Sequence, residues 1–399
     1  DEAIAELAGT PLRSWDLEKA WGILGEEAIQ SRDAYRRELA RIDAELRDVR
    51  GSVRKKVYSV LSNGSIGTTH VLIRGDVYRE GTEVLAGGIT AIGKDAKGSD
   101  FGLTKESTDG ERRRALAHWI THVNRELLSR VIVNRLWHHH FGAGIVETPN
   151  DFGFNGARPS HPELLDALAQ QLIDGGMRLK GVHRWIVLSK TYKQSSRPRE
   201  DGMRKDSGNR WLWRYPVRRL DGESARDAML SIAGVLDPQM GGPGYIDVDY
   251  KDNNGTTYYL PKAEEPRECF RRTVYRFNPR CERSSLLDVL DCPDPSATAP
   301  KRSLTTTPLQ ALSLLNSSFV FQMSDALVDS VEAQWRTRKD GGAAQELGRD
   351  QWIELLFERV LLRAPTLLEL EQSRSLVDKH GVRALARALW NSNEFLVLD

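Results

Sequence analysis

Residues 160–176, Ser-His-Pro-Glu-Leu-Leu-Asp-Ala-Leu-Ala-Gln-Gln-Leu-Ile-Asp-Gly-Gly, carry both ends of a helix in their own lettering. Ser160 is a candidate N-cap. Pro162 sits early, where its missing N–H costs nothing, and Glu163 follows the cap by three residues. Gly175-Gly176 supplies the stop. The expected helix is 162–174. Working outward, 112–121, 127–140, 180–191 and 221–234 read the same way, the last opening on Asp221 and Glu223 as the helix dipole prefers. So do 308–316, 325–336, 351–362, 366–380 and 382–391.

Other stretches break this pattern. Residues 14–60 read as a long polar helix or helical hairpin, an arm with Leu39, Ile42, Leu46 and Val49 at steps of three and four among charged residues. Residues 68–76 and 83–92 are β-branched runs split by a glycine-containing turn, hence a strand pair. Residues 93–110 are rich in Gly, Asp, Lys and Ser and read as a linker. Residues 141–162 and 238–268 form Gly- and Pro-dense loops, the second with short strands. Residues 271–277 look β-like, and 339–342 look like a turn. The expected fold is mainly α. A helical arm (1–67) and a strand pair with linker (68–110) precede a multi-helix domain with small β insertions (111–399).

Composition narrows the function. Lys and Arg number 57 against 56 Asp and Glu, and this net charge of +1 disfavours a nucleic-acid partner. No stretch reaches the roughly 18–20 apolar residues that span a bilayer. Cys269, Cys281 and Cys292 form no CxxC pair, so no haem c attachment motif lies in the chain. Cys269–Cys281 is a candidate disulfide, and reduced thiols are the alternative. The start at Asp1, directly in helical pattern, reads as a fragment or processed product.

Several motifs resemble the planctomycete-type domain of unknown function 1553, the PSD domain. They are Val133–Trp137, Phe141–Val146, Pro149–Gly153 and Pro159–Asp166, then Thr191-Tyr192-Lys193-Gln194-Ser195-Ser196, Arg218–Leu220 with Arg226-Asp227, and Met240–Gly244. Arg271–Tyr275, Asp294-Pro295, Thr305–Leu312 with Leu315-Asn316, and Asn391–Leu396 continue the series in order, covering 111–399. Residues 69–76 resemble the segment that joins this domain to its upstream neighbour. The resemblance implies an exported, extracytoplasmic protein whose relatives often carry a c-type cytochrome domain. Haem c then belongs to an upstream domain or partner, and extracellular polysaccharide is the implied partner or substrate. It implies no catalytic residue.

Candidate sites follow from residue chemistry. Asn134, Arg135, Asp151 and His161 fall on motif positions, and Asp151 with His161 can serve as an acid/base pair or, with His139, as metal ligands. Arg158 can hold an anion. The alternative is structural, with Arg135 and Asp151 paired and residues 160–162 only capping. Of His138-His139-His140, at most His138 or His139 can join His161. His118 and His122 have helical metal spacing without the intervening Glu. Tyr245, Tyr250 and Tyr258 suit sugar stacking, and Asp247, Asp249 and Asp252 suit calcium without completing an EF-hand. Arg271, Arg272, Arg276, Arg280 and Arg302 with Thr305–Thr307 form either an anion clamp or a salt-bridge network with Asp288, Asp291 and Asp294. The functional expectations are a redox-linked module acting on or binding an extracellular substrate, a non-catalytic envelope module, or a metal-dependent hydrolase.

Overall fold

A computed structural model describes residues 26–53, 60–61, 67–92, 100–254, 256–280, 282–338 and 347–398. The protein is mainly α with small antiparallel strand pairs. The chain divides into two compact units, residues 1–88 with 100–116, and residues 89–99 with 117–399.

In the first unit, α1 (Glu26–Val53) is the polar helical arm, with Leu39, Ile42 and Leu46 exposed along it. Residues 14–25 and 54–59 of the expected arm lie outside the described residues. Strands β1 (Thr69–Leu72) and β2 (Glu80–Val84) pair antiparallel with a bulge between His70 and Leu72. The second strand therefore begins and ends earlier than its β-branched run suggests. Lys105 Nζ meets Glu83 at 2.6 Å. Helix α2 (Asp109–His118) starts with Asp109 and Glu111 in its first turn and runs into a π turn at Trp119–Val123.

The second unit holds two apolar cores. One is built by α3 (Arg125–Phe141), α4 (Pro162–Asp174) and α5 (Leu179–Leu188). Leu165, Leu168, Ala169 and Leu172 of α4 recur at i, i+3, i+4 and i+7, so one face of the helix is buried against Val133 and Trp137 of α3. Helix α4 keeps its expected span, but its N-cap is His161 and not Ser160, and no side chain caps it. The Ser160 hydroxyl is drawn instead to Ile145 O, where its backbone N–H is also bound. Short helix α6 (Glu200–Lys205) follows.

The larger core gathers α7 (Gly222–Ile232), α8 (Ser285–Val289), α9 (Pro308–Asn316), α10 (Ser318–Arg338), α11 (Arg349–Leu361), α12 (Leu367–His380), α13 (Val382–Trp390) and α14 (Asn393–Leu396). Val320, Met323, Leu327 and Val331 on α10 face Ile353, Leu356 and Phe357 of α11 and Leu385, Leu389 and Trp390 of α13 within one cluster. Burial of such side chains contributes roughly 1.5–3 kcal/mol each. Thr307 and Gln310 form a capping box on α9, and Thr366 and Glu369 form another on α12.

The β elements here are small. Strand β3 (Arg218–Arg219) pairs with β6 (Val397–Leu398), and Leu220 N donates to Leu396 O at 2.7 Å. Strands β4 (Val248–Asn253) and β5 (Thr256–Pro261) form a hairpin inside the expected irregular excursion. Residues 271–277 are not a strand. They turn through a 3₁₀ segment, Thr273–Tyr275, flanked by single bridges from Asp237 to Arg271 and from Tyr245 to Arg276. The bonds of these bridges run from Asp237 N to Phe270 O, from Tyr245 N to Tyr275 O and from Phe277 N to Tyr245 O, isolated contacts and not a ladder. The turn expected at 339–342 lies outside the described residues.

Candidate functional site

The last turns of α3 position the first candidates. Asn134 is fully buried, and its amide grips one residue. Nδ2 donates to Val146 O at 3.0 Å, while Val146 N donates to Oδ1 at 2.8 Å. Gly144 lies against this grip. A Cβ there would fall 2.5 Å from Val146 O and 2.8 Å from Asn134 Nδ2. Gly142 ends α3 at φ 78°, a left-handed conformation that glycine adopts without strain.

The remaining motif residues bind local partners. Arg135 is exposed and donates to Asn150 Oδ1, not to Asp151. Asp151 is exposed, and its carboxylate accepts from Gly153 N at 2.8 Å in an Asx turn. Thr148 Oγ1 donates to Asp151 O at 2.7 Å and accepts from Ala157 N at 2.9 Å. His161 Nδ1 meets Ser160 Oγ at 2.9 Å, and its ring stands edge-on to Trp211 at 5.4 Å. Arg158 is exposed on the same loop. No hydrogen bond or ion pair joins Asp151 to His161.

Among the described residues no three His, Cys, Asp or Glu side chains converge as a ligand group, so His139, Asp151 and His161 do not form one. His139 is exposed near Arg302 and Arg135. Burial, Arg302 and Arg135 hold its imidazole below the ordinary value. His138 is lowered likewise by burial, His139 and Lys301. His140 pairs with His183, Nε2 to Nδ1 at 2.8 Å, a partner 43 residues away that the sequence does not announce. His118 and His122 stack on each other at 4.5 Å.

The tyrosines do not share a groove. Tyr245 is 5% exposed, Arg226 lies 5.2 Å above its ring, and burial raises its phenol well above the ordinary range. Tyr250 pairs with Tyr259, whereas Tyr258 pairs with Lys251, so Tyr250 and Tyr258 point to opposite faces of the hairpin. Asp247 is bound to Arg276 at 2.6 Å.

The arginines form a network, with other carboxylates than the expected ones. Arg271 donates to the carbonyls of Pro243, Gln239 and Gly241 and lies 4.2 Å above the Tyr275 ring. Arg272 reaches Asp227 at 3.6 Å, and Arg302 binds Glu223 at 2.5 and 2.7 Å. Asp291 belongs to Arg219, Thr305 and Gln310, while Asp288 and Asp294 belong to Arg283. Arg280 is exposed. Arg226, buried between these segments, binds Glu265 at 2.5 Å and the carbonyls of Cys269 and Arg271. Cys269 is a free, buried thiol, and burial pushes it up to about 11. Its candidate partner Cys281 lies outside the described residues.

A concave site occurs at a motif to which residue chemistry alone assigned no role. Residues 192–197, Tyr215 and Leu398 line a cavity of about 560 Å³. The loop is held from behind. Gln194 Nε2 donates to Leu212 O at 2.8 Å, Tyr215 N to Ser195 O at 3.0 Å, and Arg214 Nη1 to Ser196 O at 3.2 Å. Lys193 and Arg197 are exposed at its rim. The tyrosine rings of Tyr192 and Tyr215 cross at 5.3 Å, and burial raises the Tyr215 phenol. The signal present in the sequence was the polar run 193–197, which carries two cations and no acid.

No curated protein and no solved structure matches the chain. Residues 112–377 match the family model described as a protein of unknown function, DUF1553 (PSD1). The match takes in α3, the Asn134–Val146 grip, the buried Arg226 and the 192–197 loop, and the chain belongs to the DUF1553 family.

Proposed function

We propose that this domain is a non-catalytic interaction module of the cell envelope. In this reading it is exported, stands beside the c-type cytochrome unit that the family resemblance implies, and presents a binding surface to extracellular polysaccharide. One observation carries the reading. No hydrogen bond or ion pair joins any two of Asn134, Arg135, Asp151 and His161, and each is engaged locally, with Val146, Asn150, Gly153 or Ser160. A general acid/base pair needs its two groups within reach of one reacting bond. Residues spent on holding a loop serve presentation instead.

The test uses the purified chain and immobilised neutral, carboxylated and sulfated polysaccharides, with retention and reducing-end release as two readouts. Retention without release is expected, unchanged in Asp151→Ala and His161→Ala. Release of reducing ends that either substitution abolishes would overturn the reading, and so would the absence of retention on every polymer.

A further inference from the structure

Four cations border the 192–197 cavity or the residues that hold it, and none has a carboxylate partner among the described residues. Lys193 and Arg197 stand at the rim. Arg214 donates to Ser196 O and lies over the Trp213 ring at 5.3 Å. Arg218 donates to His139 O at 2.6 Å and to Tyr215 Oη at 3.4 Å. Elsewhere in this unit Arg219, Arg226, Arg276, Arg302 and Arg363 each meet an acid. These four cations gather around one concavity of a chain whose net charge is +1.

The lining also donates hydrogen bonds. Ser195 Oγ accepts from Arg197 N at 3.1 Å, which leaves its own proton to donate. Ser196 adds a second hydroxyl. The cavity, about 560 Å³, is far larger than a tetrahedral ion and falls in the range of small-molecule sites. Its lining is mostly polar, with Tyr192 and Tyr215 supplying the rings. Lys supplies a point charge and Arg a planar fork, the pair of donors that suits a sulfate or phosphate group.

We propose that this cavity binds an oxyanion ester, a sulfate or phosphate group carried on a hydroxylated ligand, with Lys193 and Arg197 on the anion and the Ser195 and Ser196 hydroxyls and Tyr192 on the body of the ligand. This deepens the interaction-module reading and rests on it. The site is assembled from two distant parts of the chain, because Leu398 reaches the cavity only through the pairing of β6 with β3. At the neighbouring helix end, burial lowers the imidazoles of His138, His139 and His140, and Arg218 is one of the cations that act in the same direction.

The experiment is calorimetric titration of the full chain at low salt with galactose 6-sulfate, glucose 6-phosphate and unmodified galactose. Binding of one or both esters and none of galactose is expected, and the two ester arms identify which anion is preferred. The variant Lys193→Ala/Arg197→Ala should bind about tenfold more weakly or worse. The control Lys180→Ala/Lys379→Ala, which removes two exposed charges elsewhere, should bind as wild type. Raising the salt should weaken wild-type binding, because exposed charges are screened. Failure of both esters to bind, equal binding of galactose, or undiminished affinity in the cavity variant would overturn the site. The last of these would leave the interaction-module reading standing. Release of free sulfate or phosphate from a bound ester would instead overturn the non-catalytic reading while supporting the site.

Discussion

Asn134 holds Val146 by both ends of its amide, donating to the carbonyl at 3.0 Å and accepting from the N–H at 2.8 Å. It replaces a backbone partner that the chain between α3 and α4 does not have. Ile145 and Val146 are thereby set into the core beside Phe141 and Leu165.

Asn134→Ala leaves a buried N–H and a buried C=O without partners, at about 1–3 kcal/mol for each. A loss of about 2–6 kcal/mol in urea unfolding is expected. Gly144→Ala should also destabilise, because its Cβ would press on both members of the grip. A variant at Asn134 as stable as wild type would show that the loop has another anchor.

Arg226 and Arg272 make a contrasting pair. The Arg226 side chain is 3% exposed and serves Glu265, Thr273 and two carbonyls. Arg226→Ala strands a mostly buried carboxylate and should cost about 3–5 kcal/mol. Arg226→Lys should recover only part of this, since one ammonium cannot fork to the same acceptors. Arg272 is half-exposed, and its Asp227 contact is 3.6 Å. Arg272→Ala should stay within about 1 kcal/mol. Chemical denaturation of the three variants checks the order.

Acid stability should depend on Glu369. The Arg363 guanidinium and then the Thr366 N–H hold its carboxyl down to about 2. A carboxylate depressed in the folded state contributes stability that is complete above its unfolded value of 4.5 and is lost as pH falls toward about 2. Wild-type stability should therefore fall between pH 4.5 and about 2. Glu369→Gln should flatten that slope while lowering stability at neutral pH. Unfolding midpoints measured across the window would show an unchanged slope if the Arg363 fork does not form in solution.

The helices were legible because their determinants are near neighbours. Pro162–Asp174 and Pro308–Asn316 carry an early proline and apolar spacing within a few residues, the second also a capping box, and both have the spans their lettering predicts. Residues 271–277 were misread because arginine, valine and tyrosine in an irregular loop resemble a strand until distant partners are known. The bridges to Asp237 and Tyr245 are tertiary facts. The arginine cluster left an anion clamp and a salt-bridge network open, and it named other acids than the ones that pair. Asp227 and Glu223 come from α7, and Asp247 from the hairpin segment.

The sequence by itself determined a mainly helical protein, the placement of most helices and the family motifs, since all of these rest on local spacing and chain order. Only the tertiary structure decided that Asn134 is a buried clamp, that Asp151 binds Gly153 while His161 binds Ser160, and that Lys193 and Arg197 border a cavity that Leu398 also lines. Burial and unpaired charge depend on what the rest of the chain brings alongside. No window of residues around a side chain contains that information.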